Sequence, residues 1–130
     1  MEDLWIILDA NFLMIPESYG VDIFSELERI VDKKYEIVIP EVVIGELKNL
    51  EKQGTASEQK SAKIALELAS RGKIVNSEKK EADEEIIRLA KEKDCLVGTN
   101  DSILKKRLQE LGIPIIYLRQ KSHLTSSREI

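Results

Sequence analysis

Short apolar runs alternate with segments of helical period along the whole chain, and this alternation limits the fold more than any other feature. Leu4–Leu8 (LWIIL), Tyr35–Ile39, Lys73–Val75, Asp94–Gly98 and Ile113–Leu118 read as strands, too short for ordinary helices and bounded by polar or turn residues. Val21–Val31 carries apolar residues at 21, 24, 27, 30 and 31, which is helical spacing. Pro40 suits a first helical turn, and Glu41 complements the helix dipole there, so a helix should run to about Lys52. A further helix starts in GTASEQ and continues through Ser61–Ser70, with Gly72 expected to cap its end. Glu81–Lys93 and Ser102–Leu111 complete the helical segments, the second stopped by Gly112. The alternation predicts an α/β fold with a central, mostly parallel five-stranded sheet covered on both faces. Residues 1–118 would form the domain, and the polar residues 119–130 (RQKSHLTSSREI) a loose tail.

A chain of 130 residues fits one domain and can bury a core without staples. The single cysteine, Cys95, excludes an internal disulfide and a paired-cysteine zinc ribbon, which favours a reducing setting. The start MEDLWIILDA lacks a basic n-region, and no apolar run nears the ~20 residues a membrane helix needs. A cytoplasmic protein without membrane contact is expected. Net charge is −4, so this is not a generally basic nucleic-acid binder, yet residues 105–128 carry +5.

Asp9 ends the first apolar run and is followed by Asn11 and more apolar residues. A carboxylate there costs free energy unless something pairs with it. Open parallel sheets bind ligands beyond the carboxyl ends of their strands, which puts Asp9 at a functional edge. Asp101 leaves the fourth strand in CLVGTND and should reach the same rim. Glu46, with Val42, Val43 and Leu50 at helical spacing, and Asp83, with Ile86, Ile87 and Ala90, both fall on apolar stripes. Carboxylates gathered at one dry rim repel one another and raise each other's pKa unless a cation sits among them. Oxygen donors alone suit Mg²⁺ or Mn²⁺.

Each acid has a plainer reading when taken singly. Asp9 would serve as a turn residue, Asp101 as a helix N-cap, Asp83 as a dipole partner and Glu46 as an ion-pair partner of Lys48. One metal pocket accounts for all of them together. Other chemistries are poorly supplied: the one histidine, His123, lies in the polar tail, and neither GxGxxG nor GxxxxGK[ST] occurs. A non-catalytic binding module and a receiver-like phosphoryl-transfer domain are the rivals. The second is weakened because no aspartate pair adjoins Asp9 and Gly98-Thr99-Asn100-Asp101 offers no lysine.

Asp9 in ILDANFLM, Glu46 in IPEVVIGELKNL, Asp83 in EADEEIIRLA and Asp101 in CLVGTNDSILKKRLQELGIPIIYL, in that order, resemble the PIN-domain nucleases over Leu4 to Leu118. The resemblance implies a three-layer α/β/α domain, a metal-binding quartet at Asp9, Glu46, Asp83 and Asp101, and Mg²⁺- or Mn²⁺-dependent endonuclease cleavage of RNA. Asn11, Thr99 and Asn100 match the polar residues that the family sets beside its first and last acids, and would hold geometry or contact phosphate. Lys105, Lys106, Arg107, Arg119 and Lys121 would bind the RNA backbone. The segment from Thr99 to Arg119 looks closest to archaeal relatives of the small-subunit processome nuclease, with a role in rRNA processing or RNA turnover. VapC-type toxin ribonucleases share the acids and are the alternative branch, as is a scaffold without catalysis. A homodimer using Ile15 and Tyr19, or an antitoxin or ribosome-assembly partner, is a further implication. Glu84 stands where the family often has Asp, and would share or replace the role of Asp83.

Overall fold

The computed structural model describes residues 3–128. Its sheet is built around β1 (Leu4–Leu8), which pairs in parallel with β2 (Tyr35–Pro40) on one side and β4 (Cys95–Gly98) on the other. β3 (Lys73–Val75) adds to β2 and β5 (Ile115–Arg119) adds to β4, both in parallel. The spatial order is β3-β2-β1-β4-β5-β6, with β6 (His123–Ser126) antiparallel to β5. Helices cover both sides of this mixed, mostly parallel sheet. They are α1 (Ala10–Leu13), α2 (Ile15–Tyr19), α3 (Ile23–Ile30), α4 (Glu41–Gln53), α5 (Ala56–Ala69), α6 (Ala82–Glu92) and α7 (Ser102–Glu110).

The central strands read as apolar runs because both faces are covered: Ile6, Ile7, Leu8, Val38, Ile39, Val97 and Ile116 have no exposed surface. Gly98 is required where β4 passes the end of β1, since a Cβ there would lie 2.8 Å from Leu8 Cδ2 and 3.1 Å from the Phe12 ring. The chain reverses its direction of strand addition between β1 and β4, and this opens the crevice in which such sheets hold ligands.

Six strands replace the five expected, and the expected loose tail is in part β6. Leu124 is fully buried, its N–H donates to Glu26 Oε1 at 3.0 Å and its carbonyl accepts from Arg29 at 3.0 Å, which fastens β6 to α3. The β5–β6 turn places Gln120 and Lys121 at φ 55° and 57°, a geometry usually signalled by Asn-Gly, so the sequence carried no hairpin mark. α3 starts at Ile23 rather than Val21 because Asp22 caps it, accepting from Phe24 N and Ser25 N. Pro40 ends β2 and stands at the N-cap position of α4. Gly72 does not cap α5, which ends at Ala69 with Ser70 in the cap position. A Cβ on Gly72 would meet Ile37 Cγ2 at 2.9 Å, so close packing is what requires a glycine there. Ile15 is 1% exposed and belongs to the core, which removes it from any dimer surface, whereas Tyr19 is 45% exposed.

Candidate functional site

Asp9 leaves β1 and caps α1. Its Oδ1 accepts from Phe12 N at 2.9 Å, and its Oδ2 accepts from the Thr99 hydroxyl. It is buried, and its own N–H donates to the Gly98 carbonyl across the β1–β4 junction. Burial pushes its carboxyl up to about 7, the two hydrogen bonds oppose this, and the charges of Asp83 and Asp101 add to it. Thr99 Oγ1 also accepts from Asp101 N at 3.1 Å. One hydroxyl therefore ties the exits of β1 and β4 together.

Asp101 caps α7 through Oδ1, which accepts from Leu104 N at 2.8 Å. The plainer reading of this residue is thus correct as far as it goes. The cap also fixes the carboxylate at the cleft, whose wall it shares with Glu46, Asp83, Lys80, Glu81, Ala82 and Arg107. Asp83 lies in the first turn of α6, half-buried; burial and then Asp101 raise its pKa, while Arg107 lowers it. Glu46 was expected on the inward stripe of α4, but Val43 and Leu47 hold that stripe and Glu46 is exposed at the cleft. Partial burial and the charge of Asp83 still raise its pKa.

The polar neighbours act as scaffolding. Asn11 Oδ1 accepts from Asn100 N at 3.0 Å, and Asn100 Oδ1 accepts from Leu118 N at 2.8 Å. With Thr99, they lash β1, β4 and β5 into one rigid rim. The expected basic patch is divided. Arg107 faces the acidic cleft and pairs with Glu84 at 2.9 Å. Lys105 lies over the Tyr117 ring at 4.9 Å, and Lys106 lines the groove beside that ring. Arg119 and Lys121 are exposed on the β5–β6 hairpin.

Sequence reasoning missed the buttress under α6. Glu85 is fully buried and accepts from Arg88 at 2.7 and 2.9 Å and from Glu78 N and Lys79 N. Arg88 also pairs with Glu78 and Glu92. This cluster pins the loop that leads to Asp83, and Ser77 in that loop accepts from Val42 N at the start of α4. The Glu85–Arg88 spacing was the available signal, but acids around it masked which one was buried.

Among the described residues, no three acidic, cysteine or histidine side chains enclose a cation by themselves. The donor set still fits a hard divalent ion, since Mg²⁺ commonly takes only one or two carboxylates and completes its shell with water and phosphate. A buried Asp9 whose ionisation is opposed by burial and by two neighbouring anions is the arrangement that a bound cation would relieve.

The PIN-like domain family model matches residues 6–121. Ribonuclease VapC4 of Methanocaldococcus jannaschii is 35% identical, over 91% of this chain and 92% of its own length. Ribonuclease VapC9 of Archaeoglobus fulgidus is 30% identical, over 88% of this chain and 82% of its own. The structure of the PIN domain endonuclease Utp24 superposes with a TM-score of 0.79 at 27% identity, covering 97% of this chain and 92% of that one. With the sheet order, the strand-end acids and these matches in agreement, the chain belongs to the PIN-like domain family.

Proposed function

We propose that this protein is a metal-dependent endoribonuclease, with Asp9 and Asp101 as the principal ligands of Mg²⁺ or Mn²⁺. The observation that carries the reading is the buried Asp9 carboxylate, placed at the reversal point of the sheet and feeling the charges of Asp83 and Asp101. The ribonucleases named among the relatives support RNA as the substrate. A bound divalent ion supplies charge neutralisation at the phosphate and acidifies water for in-line attack. Asp9 and Asp101 would hold it, each already oriented by a backbone N–H at a helix start. Asp83 and Glu46, with raised pKa values, would complete the pocket as further ligands or orient the attacking water. Thr99, Asn11 and Asn100 keep the ligand-bearing strand exits in register.

Two roles fit this chemistry. RNA maturation is the role that the resemblance of the Thr99 to Arg119 segment implies, and a toxin of a toxin–antitoxin pair is supported by the VapC relatives. An antitoxin-type reading frame beside the gene would select the second. The activity itself is tested with purified protein, RNA and Mn²⁺: cleavage should appear, and Asp9→Asn should abolish it. Cleavage that survives both EDTA and that substitution overturns the assignment.

A further inference from the structure

An acidic cleft repels a polyanion, so a strand bound across it needs cations beside the acids. From the basic segment 105–121 only Arg107 lines the cleft, and Glu84 holds it; the other cations beside the acids lie on α4 and the β3–α6 loop. A groove lined by Val42, Gly45, Glu46, Lys48, Asn49, Lys52 and Lys80 adjoins the cleft and shares Glu46 and Lys80 with it. Lys48, Lys52 and Lys80 are exposed, and among the described residues none of them makes an ion pair. By contrast, Arg107 is held by Glu84 and Lys105 lies on Tyr117. Lys48 and Lys52 are one helical turn apart, about 6 Å along the axis, a step of the order of one nucleotide.

Gly45 supplies a second and independent observation. It sits in the middle of α4, where glycine is a poor helix former, and a Cβ added there would meet nothing within 4 Å. Internal packing therefore gives no reason for its lack of a side chain. Close approach of a ligand to the helix backbone does.

Resting on the nuclease reading above, we propose that the α4 groove carries the single-stranded RNA flanking the scissile phosphate. Lys48, Lys52 and Lys80 bind its phosphates, and Gly45 leaves room for it to pass against the helix. This gives the bound strand a direction, from Asp83 and Asp101 past Glu46 and over α4 toward Lys52.

The test measures binding without cleavage. Asp9→Asn protein in EDTA is titrated with a short fluorescein-labelled single-stranded RNA over a range of salt. Adding Lys48→Ala, Lys52→Ala and Lys80→Ala should weaken binding at least about tenfold at low salt and reduce the salt slope by about 2. The matching change at Lys33, Lys34 and Lys63, exposed elsewhere, should do neither. Gly45→Phe should weaken binding without lowering the melting temperature. Equal losses from the two lysine sets, or an unchanged salt slope after the α4 changes, overturn the proposal. The nuclease reading fails separately, if the parent protein with Mn²⁺ cuts no RNA whatever the binding pattern.

Discussion

Asp9→Asn isolates the electrostatic cost on which the candidate site is built. In the unfolded chain the Asp9 carboxyl titrates near its ordinary value of 3.8, and in the folded chain burial pushes it up to about 7. Between those values the folded protein holds a proton that the unfolded chain has released, so stability falls as pH rises through this window. Above it the loss is complete, with an upper bound of about 4 kcal/mol from the size of the shift. Relaxation and water entry reduce such costs, so about 2 kcal/mol is the working figure. Asparagine keeps the shape without the charge. Its Oδ1 can still accept from Phe12 N, and its Nδ2 can donate to Thr99 Oγ1, which goes on accepting from Asp101 N. In EDTA at about pH 8, the variant should therefore melt higher than the parent, by about 8 °C at roughly 4 °C per kcal/mol. Near pH 5 the two curves should converge, because the parent is then protonated at this position. Mn²⁺ should raise the melting temperature of the parent and leave that of the variant unchanged. A variant that melts at or below the parent at pH 8 in EDTA would refute the reasoning, whatever its activity.

Asp101→Asn should leave stability within about 0.5 kcal/mol, since asparagine caps a helix as well as aspartate does, while Mn²⁺-dependent cleavage is lost; urea denaturation and an RNA cleavage assay on the same sample read both. Arg88→Ala should cost about 3 kcal/mol or more in urea denaturation, because it leaves the fully buried Glu85 without its guanidinium. In the parent, Arg88 holds Glu85 below its ordinary value of 4.5, so that stabilisation is present above this pH and fades as the folded carboxylate is protonated.

The parallel part of the fold was legible because burial on both faces turns each strand into an apolar run with no competing pattern. LWIIL and CLVG leave little choice of state, and their ends located Asp9 and Asp101. β6 was not legible: HLTS has the composition of a surface segment, and its single buried side chain, Leu124, is defined by α3, almost a hundred positions earlier in the chain. The short helices α1 and α2 were hidden by the same apolar residues that serve the core, Phe12, Leu13 and Ile15. Asp83 was found by helical phase, but phase misjudged Glu46, because an acid beside a stripe and an acid on it differ by a rotation that spacing does not resolve. The divided basic segment was beyond reach for a related reason. Which of three adjacent residues, Lys105, Lys106 and Arg107, turns toward the acids depends on the seating of α7, and the sequence does not print that.

Within this sheet, the central strand comes first in the chain and is among the last to be enclosed. β1 is made before the other strands of the sheet, yet one of its two neighbours, β4, begins at Cys95. Until β4 and Thr99 have been added, LWIIL presents an open strand edge, and Asp9 has no Thr99 beside it. The growing domain thus passes through a stage in which it has helices and half a sheet but no joined Asp9–Thr99 rim, so the candidate site is assembled only once β4 and the residues just after it have been added.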